Sequence, residues 1–201
     1  MARRSVVGGG SPPPTDDPSL IDDHPARDDP EPDPESLART ICLRLLTARA
    51  RSRQELAEAL LRRNVPDEAA DRVLDRLASV GLIDDHAFAV DFVRSKQVER
   101  GLASRELARQ LRAKGIADET VAEVLADTDE AAERATARRL VERRLRSMGG
   151  LPPEVQTRRL AAMLARKGYS PGLTFQVVRQ VVGESASEQV GADFEYPDAD
   201  S

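Results

Sequence analysis

Aromatic side chains are scarce in this chain of 201 residues: they make up 3% of it, and tryptophan is absent. Any core must therefore be assembled from Leu, Val, Ile and Ala. There is a single cysteine, Cys42, so no internal disulfide forms, which fits a reducing compartment. No apolar run approaches the ~20 residues that a membrane span requires. The opening residues, MARRSVVGGGS, are basic but lack the apolar stretch of a secretory signal. A soluble, cytoplasmic protein is the expectation, with no membrane partner.

Residues suited to catalysis are equally few. His24 falls in a Pro-rich stretch, which leaves His86 as the one histidine of the remaining body. Cys42 shares a helical stretch with Ile41 and Leu45, a setting that suits a core position better than a nucleophile. Gly8-Gly9-Gly10 precedes no Lys-Ser/Thr pair, so it is no phosphate loop. Asp84, Asp85 and His86 are adjacent, and three consecutive side chains rarely converge on one ion. The expectation is a protein that is not an enzyme and carries no metal or cofactor.

The net charge of -5 conceals a division. Residues 1–36 hold 3 Arg against 9 Asp and Glu, and residues 184–201 hold 6 acidic residues and no basic one. Taken out of 30 basic and 35 acidic residues, these leave 27 and 20 in residues 37–183, a net of +7. The body is basic and both ends are acidic. Eight of the 13 prolines lie between Pro12 and Pro34. Such a segment cannot bury enough apolar surface to offset chain entropy, so residues 1–36 and 184–201 read as disordered acidic tails.

Between the tails one pattern recurs. Glu106 to Leu125 reads ELARQLRAKGIADETVAEVL, and 51 positions earlier Glu55 to Leu74 reads ELAEALLRRNVPDEAADRVL. Arg159 to Val178, 53 positions later, reads RLAAMLARKGYSPGLTFQVV. Ser52 with Glu55 three residues on suits a capping box at the start of a helix. Asn64, Gly115 and Gly168 stand where that helix must stop in a left-handed conformation. Val65, Ile116 and Tyr169 follow, each placed to pack back on the hairpin. Asp67 and Asp118 suit the start of the next helix, and Ser170-Pro171 serves as N-cap and N1 in the third copy.

A longer apolar-periodic segment precedes each hairpin: Leu37 to Arg49, Asp85 to Arg100, and Asp129 to Met148. A two-helix hairpin cannot cover its own apolar face, so the leading helix closes each small core. The expected fold is all-α. It is a tandem array of three three-helix repeats resembling helix-turn-helix units, over 37–83, 84–128 and 129–183, elongated and curved.

Helix-turn-helix units suggest DNA reading, but the charges oppose it. The second hairpin helix carries Asp67, Glu68, Asp71 and Asp75 in the first copy, and Asp118, Glu119 and Glu123 in the next. An acidic helix is repelled by phosphates. The basic residues lie on the preceding helices: Arg105, Arg109, Arg112 and Lys114 in one, Arg158, Arg159, Arg166 and Lys167 in another. Arg134, Arg138, Arg139, Arg143, Arg144 and Arg146 fill the helix between them. Pairs such as Glu130–Arg134 and Arg138–Glu142 account for part of this charge. The excess on the second and third repeats points to an anionic partner, either acidic protein or a nucleic-acid backbone. Base stacking has little to work with, aromatics being so few.

The run Ala50-Arg51-Ser52-Arg53-Gln54-Glu55-Leu56 resembles the first-repeat signature of RecX regulatory proteins. Gly81-Leu82-Ile83-Asp84-Asp85, Phe88, Phe92-Val93-Arg94, Arg100-Gly101, Glu106-Leu107 and Lys114-Gly115-Ile116 resemble that family's central segment. The likeness covers roughly residues 37 to 183, and Asn64 departs from the glycine usual at its turn. The resemblance implies a monomeric, all-helical modulator of RecA recombinase. It implies binding to the RecA filament on single-stranded DNA, with filament growth, ATP hydrolysis, strand exchange and co-protease activity suppressed in DNA repair and the SOS response. Weak, sequence-indifferent binding to DNA alone is compatible with it. Candidate contacts to the filament or its DNA are Arg94, Lys96, Arg100, Arg105, Arg109, Arg112, Lys114, Arg138, Arg139, Arg143, Arg158, Arg159 and Lys167. The residues leave a second reading open, a tandem helix-turn-helix DNA-binding regulator, which predicts preference for particular duplex sequences.

Overall fold

The computed structural model describes residues 33–126 and 128–192, and the regular elements among them are all helices. In chain order they are α1 (Pro34–Ala48), α2 (Arg53–Leu61), α3 (Asp67–Ser79), α4 (Asp85–Arg100), α5 (Ser104–Arg112), α6 (Asp118–Ala126), α7 (Glu130–Arg146), α8 (Pro153–Arg166) and α9 (Pro171–Ala192). None of them is long and apolar enough to cross a membrane. Of the sequence-predicted tails at residues 1–36 and 184–201, residues 1–32 and 193–201 lie outside the described residues.

Helix packing groups the elements in threes. Leu56 and Leu60 on α2, Leu107 and Leu111 on α5, and Leu160 and Leu164 on α8 are each wholly buried. Their i, i+4 spacing puts both leucines on one face, and each buried leucine contributes about 1.5–3 kcal/mol. In the first triplet they meet Ala38, Ile41 and Cys42 of α1 and Val73, Leu74 and Leu77 of α3. In the second they meet Phe88, Ala89 and Val93 of α4 and Val121 of α6. In the third they meet Ala137, Leu140 and Val141 of α7 and Leu173, Val177, Val178 and Val181 of α9. Cys42 is buried, and burial pushes its thiol pKa up, away from nucleophilic use.

The hairpin turn is the same structure three times. The amide of Val65 donates to the Leu60 carbonyl, Ile116 to Leu111, and Tyr169 to Leu164, each at 3.2 Å. Asn64, Gly115 and Gly168 donate three residues back, to Leu61, Arg112 and Ala165. This pair of bonds is a Schellman motif. It requires a positive φ, and the three residues have 55°, 77° and 89°. Val65, Ile116 and Tyr169 then fold into their cores, as the pattern of the sequence requires.

Caps follow the sequence with one departure. The Ser52 hydroxyl accepts from the Glu55 amide at 3.2 Å, Asp84 accepts from Ala87 at 2.8 Å, and Ser170 accepts from Leu173 at 3.2 Å. The Glu55 side chain does not complete a capping box. It turns to Lys114 and Arg49 instead. Two boundaries also move. α1 starts at Pro34, inside the expected tail, where proline at the first helical position lacks only a donor that would be idle. α9 runs past Gly183 to Ala192. Its glycine costs about 1 kcal/mol relative to alanine, and the Arg138–Glu184 ion pair at 2.6 Å ties that turn to α7.

Candidate binding surface at the repeat junctions

Consecutive repeats are joined by polar contacts of one kind. The turn of each later repeat docks on the N-terminus of the middle helix of the repeat before it. At the first junction Ser52 Oγ donates to the Lys114 carbonyl at 2.7 Å, and the Arg53 amide donates to Asp85 Oδ1 at 2.8 Å. At the second, the Ala103 amide donates to the Lys167 carbonyl at 2.9 Å, and the Ser104 amide donates to Glu133 Oε1 at 2.9 Å. In both places a carboxylate of the following repeat satisfies an amide that the helix start leaves open, while the turn carbonyl takes the Ser52 hydroxyl in one and the Ala103 amide in the other. Tyr169 seals the second junction from below. Its buried hydroxyl donates to the Gly101 carbonyl at 3.0 Å, and burial, with the Glu133 charge, pushes its pKa up to about 12.

The turn glycines are what let the repeats approach. A Cβ on Gly115 would lie 2.0 Å from Gln54 Oε1, and one on Gly168 would lie 2.5 Å from Glu106 Cβ and 2.7 Å from its amide nitrogen. Among the described residues no repeat precedes the first turn, so Asn64 there meets only the φ requirement, which asparagine tolerates.

The structure divides the sequence-predicted binding residues into distinct groups. Lys114 is half-buried at the first junction, where its Nζ lies 2.6 Å from Glu55 and within 6 Å of the stacked Phe88 and Phe92 rings. Lys96 pairs with Glu99 at 3.1 Å and sits over Phe92. Arg109 grips Glu106 through two nitrogens, at 2.8 and 2.7 Å, and Arg112 meets Asp118 at 2.5 Å. The Arg109 bonds, and then that of Gln110, hold the Glu106 carboxyl down at about 2. Arg138 is shared between Glu142 and Glu184, each at 2.6 Å. Arg94, Arg105, Arg158 and Arg159 are exposed and make no ion pair with a described residue.

Two clefts at the second junction gather several of these groups. Arg105, Arg109 and Arg112 line one beside Gly168, of about 620 Å³. Arg100, Arg139 and Arg143 line another of about 500 Å³, together with Ser104 and Glu133. Lys167 Nζ donates to the Arg100 carbonyl. Its pKa is lowered, by burial first and then by the charges of Arg143 and Arg100. Arg94, Lys96, Lys114, Arg138, Arg158 and Arg159 line neither cleft.

Sequence reasoning missed Ser104, whose hydroxyl is shut off from solvent in the second cleft, and Arg49, which holds Glu55 at 3.1 Å. Laying the copies on one another pairs Arg49 with Arg100 and Lys114 with Lys167, and that register was the available signal. The acidic residues of α3 and α6 are exposed, with Asp71 and Asp75 facing Arg53 at 3.8 and 2.7 Å. Those helices present no basic face to a phosphate-lined groove. Asp84 and Asp85 serve separate backbone amides, those of Ala87 and Arg53, rather than a common point.

Comparison with known proteins matches the chain to the RecX family in three parts. The first three-helix domain of the family covers residues 38–77, the second 84–125 and the third 132–178. Regulatory protein RecX of Streptomyces coelicolor is 49% identical over 168 residues, covering 84% of this chain and 87% of that protein. Its namesake in Thermobifida fusca is 48% identical over 161 residues, covering 80% and 85%. Among solved structures, RecX from Lactobacillus salivarius superposes with a TM-score of 0.65 at 18% identity, over 73% of this chain and 96% of that one. At that identity the likeness speaks for the fold alone.

Proposed function

The chain belongs to the RecX family of regulatory proteins, and from that membership we propose that it inhibits RecA recombinase by binding the filament RecA forms on single-stranded DNA. It acts by occupancy rather than by catalysis. A monomer in the cytoplasm lies along the filament and limits its growth, ATP hydrolysis, strand exchange and co-protease activity during DNA repair and the SOS response.

The observation that carries this reading is the repeated junction. Turn docks on helix start twice, each time through a turn carbonyl and a carboxylate, so like surfaces recur along the chain. A helical polymer of identical subunits also offers like surfaces at intervals. Once one repeat is bound, the next meets its own site at an effective concentration on the order of millimolar. The exposed arginines on α5, α7 and α8 supply attraction to acidic protein or bound DNA. Association is then steered electrostatically and weakens with salt.

The test is co-sedimentation with preformed RecA filaments on single-stranded DNA at rising salt. Pelleting with the filament at low salt, and release as salt increases, is expected. A chain left in the supernatant at every salt concentration overturns the reading.

A further inference from the structure

The two junctions act as controls for one another, and they differ in how their cations are paired. At the first, the paired cations Arg49 and Lys114 are neutralised by Glu55, at 3.1 and 2.6 Å. At the second, Arg100 and Lys167 occupy the corresponding places, and the counterpart of Glu55 is Glu106. That carboxylate faces the other way, held by Arg109 and by Gln110 at 2.7 Å. Arg100 and Lys167 are therefore left without a carboxylate among the described residues. Arg143, in the same cleft, also makes no ion pair with a described residue, and Arg139 reaches only the Thr136 hydroxyl, at 2.9 Å.

The acids of the cleft offset only part of this charge. Glu133 is bound to the Ser104 amide, and Glu99 is engaged by Lys96 and by Ser95 at 2.9 Å. Ser104 lines the cleft, but its hydroxyl is shielded from solvent and has no hydrogen-bond partner among the described residues. Guanidinium groups lining one cleft suit a tetrahedral oxyanion, because the planar fork of arginine matches phosphate oxygens two at a time.

We propose that the cleft between the second and third repeats binds a phosphate group through Arg100, Arg139 and Arg143, with Lys167 behind them. Val98, 82% exposed, stands on the same rim, and Leu102 and Leu140 line the wall. This apolar surface beside the cations favours a phosphate that carries a sugar over a bare ion. The phosphate of a nucleic-acid strand and that of a free nucleotide share this chemistry. The proposal rests on the contrast between the junctions and holds independently of the filament reading.

The test uses the full chain and fluorescence anisotropy of two probes, a labelled oligothymidylate and a labelled nucleoside triphosphate. The Arg139→Gln/Arg143→Gln double variant is compared with Arg39→Gln/Arg44→Gln, which removes the same charge from the exposed face of α1. Helical circular dichroism checks that each variant is folded. The cleft variant is expected to weaken binding at least tenfold, and the α1 variant less than threefold. If both cations meet strand phosphates, the slope of log K against log salt falls by roughly 1.4. Loss for the oligonucleotide alone assigns the site to a strand, and loss for the triphosphate assigns it to a nucleotide. Equal losses in the two variants, or binding of neither probe to the unaltered chain, overturn the proposal. Either failure, with co-sedimentation on RecA filaments intact, removes the cleft and leaves the filament reading standing.

Discussion

Gly168, like Gly115, performs two tasks at once. Its φ of 89° lies where a side chain is strained, and a Cβ there would run into the backbone of Glu106. Gly168→Ala is expected to cost about 2–4 kcal/mol, read from urea denaturation. Asn64→Gly, at the equivalent turn with nothing docked on it, is expected to change stability by less than about 1 kcal/mol. The sequence identified the left-handed turn at all three positions because that requirement is local. It left unexplained why asparagine is admitted only in the first, because the second requirement comes from a neighbour some 60 residues away.

Glu55 and Glu106 make a prediction about acid. Burial of Glu55 opposes its ionisation, but hydrogen bonds from Lys114 and Arg49 outweigh that and hold its pKa below 4.5. Glu106 is held at about 2, chiefly by Arg109 and then Gln110. A carboxyl with a lower pKa in the folded chain stabilises the fold above its unfolded value, and that stabilisation is lost as pH falls through the folded one. Stability should thus decline from about pH 4.5 towards 2. Glu55→Gln/Glu106→Gln should flatten the decline, and an unchanged slope in urea melts across that range would remove these groups as its source.

At the scale of the elements, helix starts and stops were readable from caps, turn glycines and apolar spacing, because each acts within a few residues. The docking partners were not. Ser52 and Lys114 meet across 62 positions, and nothing in either local stretch names the other. The cost of this blindness falls on the candidate site, since Lys114 was expected at a partner surface and instead ties the first two repeats together. Lys114→Met deprives Glu55, 17% exposed, of one of its two cations. A loss of about 1–3 kcal/mol is expected. It should appear as faster amide hydrogen exchange at the start of α2, with protection around Leu107 and Leu111 retained. Equal acceleration in both places would mean that the repeats open together rather than at their junction.

The molecule as a whole is an array whose two ends are finished differently from its joints. The first turn carries Asn64, whose side chain would obstruct docking on a preceding helix. α8 starts a turn earlier than its counterparts, and its Gln156 amide donates to the Pro152 carbonyl, so the helix itself uses donors that at the joints receive the next repeat. Between the two ends, charge is uneven in a way that composition alone revealed only as a net of +7 in residues 37–183. Much of it is paired, and the concentration at the second junction became visible only when Glu106 was seen to face away from Arg100 and Lys167.

That junction is therefore where contact with RecA should be most sensitive to substitution. Arg105, Arg109 and Arg112 are exposed beside it. The decisive measurement is ATP hydrolysis by RecA on single-stranded DNA, titrated with the chain and with its Arg105→Glu/Arg109→Glu/Arg112→Glu variant. The native chain is expected to suppress hydrolysis at less than one copy per RecA subunit, and the folded variant to require at least tenfold more. Hydrolysis unchanged by the native chain up to a clear molar excess would contradict the central claim.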